Sequence, residues 1–214
     1  MSYDLQEQEQ LDALKAWWRA HSNRVTAAAL AVLGAIGAYQ GWSRYSMQQA
    51  AAASALYDEF EKASASKDPK DATKARDLVG TLIEKHGSTV YATMAALRAA
   101  KASIDSGDLK SAKAQLTWAA EHGGQNELAL LARVRLAGVL LDEKDYDQAL
   151  KVLKVDVPDA FASEFADRRG DVYAAQGKLA DARAAYSEAL AKAGTRPIRA
   201  LIQMKLDALP VDGA

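Results

Sequence analysis

The 214-residue chain has no cysteine. That excludes disulfides, thiolate metal ligands and thiol nucleophiles, and it suits any compartment, an oxidising one included. Proline is scarce: Pro69, Pro158, Pro197 and Pro210 stand far apart and leave long spans open to helix. Aromatic residues make up 7% while half the chain is apolar, and alanine supplies much of that half. Closely packed helices use such a composition well and a β-sandwich uses it badly. No charge of one sign dominates either. The 27 bases and 28 acids give a net −1, and the first 45 residues hold four of each. Neither part hides the basic face or arm that grips nucleic acid, so no nucleic-acid partner is expected.

Motifs that carry chemistry are missing as well. There is no phosphate loop, no dinucleotide glycine fingerprint and no nucleophile elbow. His21, His86 and His122 are isolated from one another in sequence. The acids Asp142, Glu143, Asp145 and Asp147 fall in or beside a predicted inter-helix turn, where solvation explains them. Arg169-Gly170-Asp171 spells an adhesion tripeptide, but it falls inside a predicted helix with Gly170 at a packing position. The expectation is a protein that is not an enzyme, with no catalytic residue, metal, cofactor or small-molecule substrate.

What is present begins with one hydrophobic run. Residues 25–43 are 19 consecutive residues without a charge, bounded by Arg24 and Arg44. As a helix the run would be roughly 28 Å long, close to the ~30 Å hydrocarbon core of a bilayer. Trp17 and Trp18 precede it and Tyr39, Trp42 and Tyr45 close it, as aromatics do at both membrane interfaces. The lead-in carries four acids (Asp4, Glu7, Glu9 and Asp12), unlike the short positive start of a signal peptide. A retained transmembrane anchor is therefore expected. Two competing readings are a signal peptide cut after Ala35-Ile36-Gly37, a small-x-small site, and a buried soluble helix.

Lys15, Arg19 and Arg24 crowd the N-terminal end of the run, while beyond Arg44 the next base is Lys62. The positive-inside rule then places the N-terminus in the cytoplasm and the rest outside, which in a bacterium is the periplasm. The expected layout is a cytoplasmic segment 1–24, a transmembrane helix 25–43 and a periplasmic domain 44–214. Gly34, Gly37 and Gly41, with the ladder Ala27, Ala31 and Ala35, form a small-residue stripe that would let another membrane helix approach closely.

Beyond the run the chain repeats. Phe165 to Leu190, "FADRRGDVYAAQGKLADARAAYSEAL", resembles a tetratricopeptide repeat. Gly170 and Tyr173 mark helix A, Gly177 the turn, and Ala182, Tyr186 and Ala189 helix B. Arg169 departs from the pattern, which usually has a large apolar residue there. Ala149, Ala112 and Ala75 occupy the place of Ala182 in three earlier units, the first of them degenerate. His86-Gly87 and His122-Gly123 repeat as well, each expected as a histidine in the last helical turn followed by a C′ glycine. Asp68-Pro69 offers an N-cap and a first-turn proline. Thr195 and Pro197 open a last helix whose apolar residues 198, 201, 202 and 206 share one face, as a capping helix needs. The fold class expected is all-α: a single N-terminal transmembrane helix, then a tetratricopeptide-repeat-like α-solenoid. With no breaker before Pro69, the transmembrane helix is expected to run on into the first helix of the domain.

Such a solenoid offers a concave surface lined by its A helices, suited to peptides or partner helices. By repeat position it should include Met94, Leu97, Lys101, Leu131, Val134, Glu164, Asp167 and Asp171. For Leu97 and Val134, packing against the next helix is the better explanation. The last repeat presents acids rather than the bases of a carboxylate clamp. A groove apolar in the middle and acidic at the end suits apolar or basic extended segments.

In order and spacing the chain resembles the YfgM family of proteobacterial inner-membrane proteins. The resemblance is carried by "EQEQLDALKAWWRAHSNR", the single anchor, "ADRRGDVYAAQGKLADARAAY" (Ala166 to Tyr186) and "MKLDAL" (Met204 to Leu209). It implies an ancillary subunit of the SecYEG translocon, partnered with a PpiD-like membrane-anchored chaperone. Its repeat domain would help hand newly translocated, unfolded clients to periplasmic chaperones. It also implies, for some bacteria, a link between the cytoplasmic segment and stress-response regulation. The alternative function is a scaffold for cell-envelope assembly that binds no client.

Overall fold

The structure, a computed structural model, describes residues 2–66, 68–123 and 127–210. These residues are helical almost throughout, with no strand among them. The helices are α1 (Ser2–Ala65), α2 (Pro69–His86), α3 (Val90–Asp105), α4 (Leu109–His122), α5 (Glu127–Asp142), α6 (Tyr146–Val152), α7 (Asp159–Ala175), α8 (Leu179–Ala193) and α9 (Ile198–Asp207). The chain forms two compact units, Met1–Gln49 and Ala50–Ala214.

The first unit is helix alone. It carries a stretch long and apolar enough to cross a membrane, and none of that stretch is buried in the protein. Leu30, Val32, Leu33 and Ile36 are exposed, as are Trp17, Trp18, Tyr39, Trp42 and Tyr45. A soluble core helix would bury those aliphatic side chains to stabilise the fold, so the buried-helix reading fails. Trp17 stacks on His21 at 5.1 Å, and the His21 Nδ1 lies 3.0 Å from the Trp17 carbonyl.

In the second unit α3 packs on α4, α4 on α5, α5 on α6, α7 on α8 and α8 on α9. The odd-numbered helices also touch their counterparts, α3 with α5 and α5 with α7. That is the stacking of a helical solenoid, in which each pair meets only its neighbours. Alanine lets the helices approach. Ala96, Ala100, Ala119, Ala132, Ala137 and Ala149 are fully buried in the middle of the stack, and Leu116, Leu136, Leu153 and Phe165 fill the space between them. At the other end of this unit Ala53, Phe60 and Ala63 of α1 join α2 and α3 in a second cluster.

Three turns show the repeat at atomic level. Gly107, Lys144 and Gly177 all have positive φ (79°, 61° and 73°). In each, the following residue donates its N–H back to a carbonyl five residues earlier: Asp108 to Ser103, Asp145 to Leu140 and Lys178 to Tyr173, at 2.8, 2.8 and 2.9 Å. This is the Schellman closure of helix A. The same residue then opens helix B: Asp108 accepts from the Ser111 N–H at 3.1 Å, and Asp145 from the Gln148 N–H at 3.4 Å. One residue ends one helix and starts the next.

Two local expectations are corrected. Gly87 and Gly123 follow their helices directly but with φ of −58° and −70°, not in the left-handed conformation of a C′ glycine. Glycine is required there by crowding: a Cβ would meet the Ile83 carbonyl oxygen at 2.7 Å at Gly87, and the Ala119 oxygen and Ala129 Cβ at 2.7 and 2.9 Å at Gly123. Thr195 does not cap α9, which begins after Pro197 without a side-chain cap. Asp68 does cap α2, accepting from the Lys70 N–H at 2.9 Å.

Candidate functional site

The A-helix face is built from α3, α5 and α7. Along α3, Met94 is half-buried, Leu97 is buried in the core, and Lys101 is exposed and paired with Asp105 at 2.7 Å. Along α5, Leu131 and Val134 are half-buried and pack on the same core. Leu97 and Val134 are thus packing residues, while Met94 and Lys101 keep surface open to a partner.

The acidic end is arranged differently. Glu164, Asp167 and Asp171 of α7 lie one helical turn apart, but the chain neutralises them itself. Lys205 of α9 donates to both carboxylate oxygens of Asp167 at 2.9 and 2.8 Å and lies 2.8 Å from Asp171 Oδ1. Arg168 reaches Asp171 at 3.2 Å, and the Tyr186 hydroxyl donates to it at 2.9 Å. Arg196 donates to Glu164 at 2.9 Å and to the Ala160 carbonyl at 2.9 Å. Burial pushes the Asp167 carboxyl above its ordinary value against the pull of Lys205. Burial likewise raises the Tyr186 hydroxyl, and the Asp171 carboxylate adds to the shift.

Helix α9 is held by more than Lys205. Ile202 is fully buried, and Leu206 and Leu209 pack on the Ala182–Tyr186–Ala189 face of α8. Arg183 donates to the Leu209 carbonyl at 3.2 Å and to that of Pro210, and Arg199 to the Leu190 carbonyl at 2.7 Å. Leu201 stays 51% exposed, so the capping face is narrower than the apolar pattern implied. Sequence reasoning missed Lys205 and Arg196. The signal was there in part: Lys205 sits between Ile202 and Leu206, a lone cation on an apolar stripe. Such a residue needs an acid within reach.

Gly170 does the work its repeat position implied. A Cβ there would lie 2.5 Å from two ring carbons of Tyr186, so only glycine lets α7 and α8 close on that ring. On α1, a Cβ at Gly34, Gly37 or Gly41 would meet no heavy atom within 4 Å. Among the described residues no cluster of three or more His, Asp or Glu is placed to hold a metal.

A family model described as a tetratricopeptide repeat-like domain matches residues 15–211. A protein of Neisseria gonorrhoeae named ancillary SecYEG translocon subunit is 34% identical, over 98% of this chain and all of the relative. Proteins of the same name from Haemophilus influenzae and Escherichia coli are 25% and 24% identical, over 98% and 96% of this chain and 100% and 97% of their own length. With its repeat turns, its Gly170–Tyr186 contact and its exposed apolar N-terminal helix, the chain belongs to the tetratricopeptide repeat-like YfgM family.

Proposed function

We propose that this protein is an ancillary subunit of the Sec translocon. It crosses the bacterial inner membrane once, with residues 1–24 in the cytoplasm and the repeat domain in the periplasm. There it helps pass newly translocated proteins to periplasmic chaperones, with a PpiD-like membrane-anchored chaperone as partner. The observation that carries this reading is the match along nearly the whole chain to relatives named for the translocon. The unburied apolar helix supports a retained anchor, and the charge bias of Lys15, Arg19 and Arg24 supports the orientation. The stacked helices supply a surface for protein ligands; Met94 and Lys101, with Leu131 beside them, are its open part. The acids Glu164, Asp167 and Asp171 contribute by holding α9 against the last repeat.

Crosslinking in intact membranes tests the partners: translocon subunits and a membrane-anchored chaperone should be recovered with the full-length protein. Recovery of neither would overturn the reading. Orientation has a clean assay because the chain has no cysteine of its own. Glu7→Cys should resist a membrane-impermeant maleimide in spheroplasts, whereas Ser187→Cys, an exposed position on α8, should label. The reverse pattern would invert the topology.

A further inference from the structure

Three arginines stand in register on the A-helix face. Arg98, Arg135 and Arg168 are spaced as Ala112, Ala149 and Ala182 are, so each holds the same repeat position. At about 100° per residue, Arg135 shares one face of α5 with Leu131 before it and Gly138 after it. The same offsets put Arg98 between Met94 and Lys101 on α3, and Arg168 between Glu164 and Asp171 on α7. Helix α5 packs on both α3 and α7, so Arg135 is the middle member of the row.

The outer two are neutralised by this chain. Arg98 Nε lies 2.9 Å from Glu61 Oε1, and Arg168 Nη1 lies 3.2 Å from Asp171 Oδ2. Lys101 is matched by Asp105, and the acids of α7 by Arg196, Lys205 and Arg168. Nothing among the described residues matches Arg135, whose guanidinium makes no ion pair and no hydrogen bond. The nearest acid on its own helix, Asp142, is exposed and seven residues on. That is about 10 Å along the axis, beyond a Debye length at physiological salt. One positive charge is thus left at the centre of an otherwise balanced face. Arg135 is half-buried, and a guanidinium held partly out of water gains most from a carboxylate that meets its planar fork. There is room for one: Gly138 has no side chain, and a Cβ there would meet only the Arg168 guanidinium, at 3.6 Å.

We propose that Arg135 anchors a bound protein segment on the A-helix face by taking the carboxylate of an aspartate or glutamate, whose apolar neighbours rest on Met94 and Leu131. This builds on the assignment of that face as the protein-binding surface and names the chemistry of its ligand: an extended segment with one acid among apolar residues. The acids of α7 are engaged, so the charge open to a ligand is positive and not negative. Packed helices lie about 8–10 Å apart, so about six extended residues at ~3.3 Å each span α3 to α7. A central arginine ringed by contacts of little net charge is a common form of interface hot spot.

Full-length protein in a nonionic detergent tests it with two fluorescein-labelled peptides of neutral ends, Ser-Leu-Ala-Glu-Ala-Leu-Ser and the same chain with glutamine in place of glutamate. The glutamate peptide should bind about tenfold tighter, the size of one charge-assisted bond, and the difference should shrink as salt rises. Arg135→Gln should abolish the difference, and Arg135→Lys should keep part of it. Met94→Ala should weaken both peptides alike. Lys178→Gln, at an exposed turn position away from the A helices, should change neither. Equal binding of the two peptides to the wild type, or a preference that survives Arg135→Gln, would overturn the proposal and leave the face as a binding surface. Binding of neither peptide would overturn both.

Discussion

The third and fourth helix pairs follow one plan and end differently. In the α7–α8 pair a glycine at position 170 admits the Tyr186 ring, Ser163 donates to the Ala189 carbonyl at 2.9 Å, and Arg169 grips Glu188 with two bonds of 2.9 Å. In the α5–α6 pair the turn residue with positive φ is Lys144 rather than glycine. Its second helix has seven residues, and a cavity opens beside it. The same turn geometry thus serves a tightly closed pair and an open one. What differs is the length of helix B and the residue facing its partner, so a repeat can open a surface without altering its turns.

Substitutions can break or sharpen that contrast. The largest effect is expected at Lys205→Met, which leaves Asp167 and Asp171 facing each other with side chains 10% and 15% exposed. Removing one partner of a buried ionic cluster costs about 3 kcal/mol, and a denaturant midpoint reads it. Gly170→Ala should follow at about 2 kcal/mol, because the new methyl overlaps the Tyr186 ring. In the α5–α6 pair the repeat position of Gly170 is held by Ala137, and the neighbouring Gly138→Ala meets only the Arg168 guanidinium at 3.6 Å, so it should gain several tenths of a kcal/mol from helix propensity. Opposite signs for the two glycines are what the comparison requires; equal losses would refute it. Tyr186→Phe removes the bond to Asp171 while keeping the ring, for a loss of about 1 kcal/mol. Lys144→Gly should raise the melting temperature slightly, relieving up to about 1 kcal/mol of left-handed strain less the entropy of glycine in the unfolded chain.

The pH dependence of the closed pair has a definite sign. The folded state holds the Asp167 carboxyl above its ordinary value of 3.8, chiefly through burial. The ionised form therefore weighs against the fold at neutral pH, and protonation relieves that penalty as pH falls through the folded value toward 3.8. Measured against Asp167→Asn, the wild type should gain relative stability on acidification over that window. A flat difference would show that Lys205 fully offsets the burial.

The periodic part of this architecture was legible in the residues. Gly170, Tyr173, Gly177, Ala182 and Tyr186 report helix packing because each position tolerates only a small residue or needs a large one, and such constraints recur with the repeat. The exposed apolar run of α1 was legible for the same kind of reason, since its length and boundaries are set by one physical requirement. What escaped were contacts that occur once. Nothing periodic marks Lys205 as the partner of Asp167 and Asp171, or Arg196 as the partner of Glu164, and acids on an A helix look available until α9 is seen against them. The end of the third unit's second helix at Val152, and the cavity this leaves, also escaped, because they depend on three helices at once.

The nearest-neighbour stacking also governs how the fold can be completed. Within the second unit, the helix pairs in contact lie one or two places apart in chain order, and even the Lys205–Asp167 bond spans only 38 residues. Low contact order of this kind favours rapid folding, since no long loop must close before contacts form. A chain delivered from its N-terminal end can set each hairpin of helices on the one before it, without waiting for a distant strand or tail. Only the last hairpin must wait for α9, whose ammonium group neutralises the charge that α7 has buried.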